Sequence, residues 1–168
     1  DEWYVPVVSS AQNLTYKGML GLENFLETAL QKGMSGLSKS LSEVMSSQVV
    51  TCSPEDEVDN VWRLMREKSF AGLPVVKKGR LIGIITEKDL LDSGAIFPAF
   101  EATKGRFKSP PKIMSVMKTN VVSLKPTSTV EEAAKIMLEK NFGRIPVVDE
   151  KGNLVGIVDR EDIVRSLL

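Results

Sequence analysis

Leu73-Pro74-Val75-Val76, followed by Gly83-Ile84-Ile85-Thr86-Glu87-Lys88-Asp89, returns later in the chain as Ile145-Pro146-Val147-Val148 and Gly156-Ile157-Val158-Asp159-Arg160-Glu161-Asp162. Outward from these blocks, Val44-Met45, Val49-Val50-Thr51 and Pro54 precede the first, and Val116-Met117, Val121-Val122-Ser123 and Pro126 precede the second. The register slips by a single residue in the turn between Val76 and Leu81. A doubled stretch of this length is one supersecondary unit used twice, each copy burying its apolar face on a neighbour. Function is therefore expected at the seam between the copies.

Each copy reads as strand, helix, strand, strand, helix. Val49-Val50-Thr51 is a short β-rich run, and Ser53-Pro54-Glu55-Asp56 carries helix-start chemistry. Val58, Val61, Trp62 and Met65 then fall on one helical face. Val130, Ala133, Ala134 and Met137 do the same in the second copy, behind Ser128 and Glu131 in capping-box register. Both stripes read as core, with Trp62 large where Ala134 is small. Lys77-Lys78-Gly79-Arg80 and Asp149-Glu150-Lys151-Gly152-Asn153 each join two apolar runs, a hairpin signal. A final helix opens at Thr86 or at Asp159. This order predicts a mixed α/β (α+β) fold of two β-α-β-β-α repeats.

A third, partial copy stands at the front. Val5-Pro6-Val7-Val8 matches Leu73-Pro74-Val75-Val76, and Gly18-Met19-Leu20-Gly21-Leu22-Glu23-Asn24-Phe25 matches Gly83 to Leu90. The strand and helix that should precede it are absent. The organisation expected is a partial repeat and linker over 1–40, a first repeat over 41–92, a connector over 93–112 and a second repeat over 113–168. Gly94, Pro98, Gly105, Pro110 and Pro111 mark the connector. The chain then reads as the back part of a longer protein with more repeats. An incomplete unit leaves an apolar face needing a partner, such as another subunit.

The 168 residues suffice for one compact domain or a pair of small ones. Hydrophobic residues make up 42% and charged residues 26%, the balance of a soluble globular protein, and no apolar run reaches membrane-spanning length. Lys+Arg and Asp+Glu are equal at 22, and aromatics are 6%, which argues against a nucleic-acid binder. There is no histidine, which removes the commonest general acid–base and the commonest metal ligand. A single cysteine, Cys52, forms no intrachain disulfide, points to a reducing, cytoplasmic setting, and reads as a small packing residue. No phosphate-cradling glycine loop is present. These absences predict no catalytic residue, no metal and no enzyme.

The doubled hydrophobic-Pro-Val-Val and Gly-hydrophobic-hydrophobic-Thr/Asp-x-x-Asp motifs, in order and with intact spacing, resemble a tandem CBS-domain pair (the cystathionine-β-synthase-type repeat; two form a Bateman module). The resemblance covers about residues 41–168, plus the half-repeat at the front. It implies two repeats packed with pseudo-two-fold symmetry. It also implies a regulatory module that binds an adenosine-containing ligand in the cleft between them: AMP, ADP or ATP, with S-adenosylmethionine a further candidate. A homodimer through the modules and a separate regulated protein are implied partners.

The resemblance assigns Asp89 to the ribose hydroxyls, with Thr86 nearby on sugar or phosphate. An ionised carboxylate is acceptor-only and suits a diol, and a helix start favours an anion. The alternative is a capping box, although Asp is short for its reciprocal bond. Arg144 is assigned to a phosphate, which a guanidinium fork suits; the alternative is a solvated or carboxylate-paired arginine. Thr51 and Ser123 close the strands against which the family places adenine, and Val50 and Val122 are either walls for it or core. Asp162 is the ribose acid of the second copy, but Asp159 replaces Thr there and Gly72 offers no charge opposite. Two carboxylates repel a phosphate, so that cleft is expected to be empty, weaker or selective for a less charged adenosine compound. A module that only dimerises, with no metabolite, is the competing reading.

Overall fold

The computed structural model describes residues 4–94 and 111–168. Most of the expected connector, 93–112, lies outside them. The mixed helix-and-strand class is the one expected. Three hairpins recur, each a separate two-stranded sheet: β1 (Tyr4–Val8) with β2 (Tyr16–Gly21), β3 (Gly72–Lys77) with β4 (Arg80–Thr86), and β5 (Arg144–Val148) with β6 (Leu154–Asp159). Each feeds a helix: α1 (Leu22–Lys32), α3 (Glu87–Asp92) and α5 (Arg160–Leu167). The second and third hairpins are preceded by α2 (Val58–Lys68) and α4 (Val130–Lys140). Between β3 and β4, Lys78 and Gly79 hold φ of 52° and 81°. Two consecutive left-handed residues make the tight turn whose twist matches a hairpin.

Three local expectations shift. The opening strand of each repeat is one bridging residue. Cys52 N donates to Pro74 O at 3.1 Å and Val76 N to Cys52 O at 2.9 Å; Leu124 does the same between Pro146 and Val148. Val50 and Val122 therefore sit outside the ladder, each 38% exposed, so they are not core. The stretch Ser53 to Asp56 is a closed turn, with Ser53 N on Asp56 Oδ2 at 2.8 Å, and α2 starts only at Val58. In α4 the box is Thr129–Glu132, not Ser128–Glu131: Thr129 N donates to Glu132 Oε2 and Glu132 N to Thr129 Oγ1, both at 3.1 Å. Helical phase decides this, because starting at Val130 puts Val130, Ala133, Ala134 and Met137 inward, all fully buried. Glu131 instead bonds Lys135 at 2.6 Å.

The chain divides into two compact units, one of residues 1–49, 122–150 and 155–168, the other of 50–121 and 151–154. The first unit's core joins Leu26, Ala29, Leu37 and Leu41 to the α4 stripe, Ile145, Val147, Val158 and Ile163. The second unit's core is Val58, Val61, Met65, Leu73, Val75, Ile85, Leu90 and Ile113, closed by Cys52.

In both units the Val-Met segment heading one repeat runs beside the hairpin of the other. Ile84 and Lys118 exchange two backbone bonds at 2.9 Å, and Ser46 and Ile157 exchange two at 2.9 and 3.0 Å. The glycine of each Gly-hydrophobic-hydrophobic motif makes room for this. A Cβ on Gly83 would lie 2.8 Å from Met117 Sδ and 3.0 Å from Lys118 O, and one on Gly156 would collide with Met45.

Candidate functional site

β4 ends in extended backbone at Thr86 (φ −118°, ψ 161°), and α3 begins one residue later. That bend swings the Thr86 amide over the first turn. Asp89 Oδ2 accepts from Thr86 N at 3.0 Å and from Thr86 Oγ1 at 2.6 Å, while Thr86 Oγ1 accepts from Asp89 N at 3.1 Å. The reciprocal bond forms although Asp is short for it, because the extended Thr86 brings its own amide within reach. The other oxygen, Oδ1, meets Lys118 Nζ at 2.7 Å. The Asp89 side chain is 7% exposed and the lysine 65%. Burial alone pushes the Asp89 carboxyl up, but Lys118 and the two Thr86 bonds outweigh it and hold it below its ordinary value. Asp89 is thus a buried, ionised acid with one side pinned by the backbone and the other held by a cation reaching in from solvent.

The second copy has the same cap and the opposite electrostatics. Asp159 N donates to Asp162 Oδ2 at 3.1 Å and Asp162 N to Asp159 Oδ1 at 2.8 Å. Ser46 stands where Lys118 stands in the other unit. Burial, and then the neighbouring Asp159 charge, push the Asp162 carboxyl up despite its bond from the Asp159 amide. Arg160, although adjacent, is committed elsewhere: Nε donates to Phe142 O at 3.2 Å and Nη2 to Asn141 Oδ1 at 2.8 Å, tying down the left-handed end of α4. Asp162 lines a cavity of about 280 Å³ with Lys39, Glu43, Val44, Arg165 and Ser166. In the front copy, Asn24 Oδ1 accepts from Gly21 N at 2.9 Å, the same cap without charge.

Among the other residues singled out from sequence, Val50 and Thr51 are exposed and belong to the unit that holds Thr86 and Asp89. Ser123 and Arg144 are half-buried, Arg144 heading β5, and belong to the unit that holds Asp162. Lys118 was not anticipated. Its only signal is that Val116-Met117-Lys118 repeats Val44-Met45-Ser46 with a cation for a serine; which hairpin the segment would join is not written locally. Cys52 is buried and its thiol is pushed up to about 12, chiefly by burial, fitting a packing role. Among the described residues no group of three His, Cys, Asp or Glu could hold a metal, and no helix is long and apolar enough to cross a membrane.

The CBS domain family model matches residues 41–95 and 113–168. An uncharacterized protein of Methanocaldococcus jannaschii, MJ1426, is 32% identical over 171 residues, covering 85% of this chain and 100% of its own length. Three further curated relatives are longer, and the chain spans 44%, 25% and 46% of them. The crystal structure of MJ1225, from the same organism, superposes with a TM-score of 0.80 at 24% identity, covering 98% of this chain and 59% of that one. CBSX2, solved in complex with AMP, superposes at 0.63 with 28% identity, covering 76% of this chain and 94% of its own; CBSX2 is an Arabidopsis thaliana protein. The chain belongs to the CBS-domain family and carries two CBS repeats in tandem.

Proposed function

We propose that the chain is a regulatory module that binds an adenosine-containing ligand, AMP, ADP or ATP, with S-adenosylmethionine as a further candidate. The observation that carries this is Asp89, a buried carboxylate kept ionised by Thr86 and Lys118. Nothing in the fold requires that charge, since Asn24 caps α1 equally well. An ionised acceptor suits the two hydroxyls of a ribose, and the exposed ammonium beside it suits a phosphate. The AMP complex of CBSX2 supports the ligand class. Arg144 is the phosphate-binding arginine, with Val50, Thr51 and Ser123 against the adenine. The Asp159–Asp162 box, with no lysine at Ser46, is empty, binds more weakly or takes a less charged adenosine compound.

Catalysis is not part of this reading, because the sequence holds no histidine to activate a nucleophile. The ligand acts by shifting the population of module conformations that a regulated protein reads. The module works in the cytoplasm as a homodimer. Thermal denaturation with AMP, ADP, ATP, S-adenosylmethionine and adenosine tests the reading. Ligand at 100 times its Kd adds about 2.7 kcal/mol, a rise of roughly 5–10 °C for a chain of this size. Arg144→Ala should weaken AMP while sparing adenosine. A flat melting temperature across the panel would leave the purely structural pairing module as the better account.

A further inference from the structure

An ionised carboxylate has about four acceptor positions, roughly two on each oxygen. On Asp89, Oδ2 has both of its positions filled, by Thr86 N at 3.0 Å and by Thr86 Oγ1 at 2.6 Å. The Thr86 hydroxyl has no proton left to give, since it donates to Asp89 and accepts from Asp89 N at 3.1 Å. A ligand that meets this acid must therefore use Oδ1, where Lys118 Nζ already stands at 2.7 Å. A ribose diol brings two donors, and the lysine leaves it only one position on Oδ1. The ammonium and the diol compete for the same oxygen.

Lys118 combines a fixed main chain with a loose side chain. Its N and O exchange two bonds of 2.9 Å with Ile84. Met117 packs against the bare α-carbon of Gly83, where a Cβ would come within 2.8 Å of its Sδ. The lysine side chain is 65% exposed, against 7% for the carboxylate it holds. An exposed partner of this kind biases the site toward the paired state by up to about fivefold, and no more. Its ammonium is a compact point charge on a flexible four-carbon stem, readily hydrated once released. The second copy has the same main-chain seat, Ser46 on Ile157, with a hydroxyl in place of the cation.

Resting on the reading of Asp89 as the ribose acid, we propose that Lys118 is a resident counter-ion that yields to nucleotides and disfavours neutral nucleosides. In the free chain its ammonium covers the outer oxygen of Asp89. A diol that arrives there breaks the pair and releases the ammonium. Adenosine offers the released charge nothing, so the nucleoside bears the whole cost of the lost pair. A nucleotide offers its phosphate, which accepts from the ammonium in a charge-assisted bond. The buried carboxylate stays hydrogen-bonded throughout, first to the ammonium and then to two hydroxyls, so no charge is left buried without a partner. Selection for phosphate thus lies in the exchange: the cation moves from the protein's acid to the ligand's anion while its main chain stays on Ile84.

Isothermal titration calorimetry of the full chain at pH 8 tests this, with AMP and adenosine against the parent, Lys118→Met and Lys118→Arg. Lys118→Met keeps an unbranched stem and drops the charge, so adenosine should bind it more tightly, by up to about fivefold. AMP should bind it about tenfold more weakly, since a charge-assisted bond to phosphate is lost. Opposite movement of the two affinities is the signature, because a merely structural lysine would move both the same way. Lys118→Arg keeps a cation and should retain the parent's preference for AMP. The bonds to Ile84 involve only main chain, so circular dichroism should show both variants folded. Adenosine no tighter on Lys118→Met than on the parent, or both affinities falling together, overturns the exchange while nucleotide binding itself stands. Failure of both AMP and adenosine to bind the parent overturns the exchange together with the reading of Asp89 beneath it.

Discussion

On the proposed reading Asp89 does two jobs, capping α3 and binding ligand, that a pair of substitutions separates. Asp89→Ala removes the acceptor from the Thr86 amide, leaving a half-buried N–H unpaired at a cost of about 1–3 kcal/mol. It also removes the contact with Lys118. That lysine is 65% exposed, so its share is discounted to about 1 kcal/mol at most. The sum is about 1–4 kcal/mol, a fall of roughly 2–16 °C in melting temperature. Asp89→Asn keeps a carbonyl in the same place, and Asn24 already caps Gly21 that way at 2.9 Å. Its cost is then only the ion pair, roughly 2–4 °C. Ligand affinity should not follow stability. Hydrogen bonds to a charged acceptor are worth about 1.5–3 kcal/mol and neutral ones about 0.5–1.5, so Asp89→Asn should weaken AMP roughly tenfold. Scanning calorimetry and isothermal titration read the two quantities on one sample. The pH dependence has a fixed sign: the folded Asp89 titrates below its ordinary value. Its stabilisation is complete above the unfolded value of about 3.9 and is lost as pH falls through the folded value. The melting gap between parent and Asp89→Asn should hold from pH 8 to about 5 and narrow below about 4. An asparagine variant as unstable as the alanine variant, or one binding AMP as tightly as the parent, refutes the division of labour.

Asp162→Asn should move stability the other way. The penalty on the raised acid sets in as pH climbs from about 3.9 through its higher folded value, so the variant should melt above the parent at pH 7 and level with it at pH 3. Gly83→Ala should cost about 1–3 kcal/mol by overpacking, because Met117 and the Lys118 carbonyl occupy the space; calorimetry should show this together with weaker AMP binding as Lys118 is pushed off Asp89. Cys52, with its thiol near 12, should resist iodoacetamide at pH 8 in the folded chain and react fully in denaturant, read by mass spectrometry.

Hairpins and helix faces were legible in the sequence because their signals are local. Two apolar runs around Lys77-Lys78-Gly79-Arg80 and the spacing of Val58, Val61 and Met65 each specify an element by themselves. The cap positions slipped because several adjacent residues offer the same chemistry. Ser128 and Thr129 both cap well, as do Glu131 and Glu132 at N3, and only packing of Val130 selects between them. The opening strands were over-read for a related reason. Val49-Val50-Thr51 has strand composition, but the residue that pairs is Cys52, which faces Pro74 and Val76 across a parallel edge. The Lys118–Asp89 pair was out of reach because it depends on a long-range choice. The two residues lie on opposite sides of the connector and meet only because Lys118 pairs with Ile84.

That long-range choice decides what the Thr/Asp-x-x-Asp motif means. In all three copies the residue at the third helical position returns to the amide that opens the helix, at 3.0, 3.1 and 2.9 Å for Asp89, Asp162 and Asn24. The motif's presence therefore reports a helix start, and it would recur for that reason in a module that bound nothing. What distinguishes the copies is the segment laid against each hairpin. Lys118 beside Ile84 makes Asp89 a stable anion, Ser46 beside Ile157 leaves Asp162 facing another acid, and the front hairpin has a neutral asparagine. The repeats share a backbone device and differ in charge, and on the proposed reading ligand preference is set outside the repeated motif, by the residue that follows Val-Met.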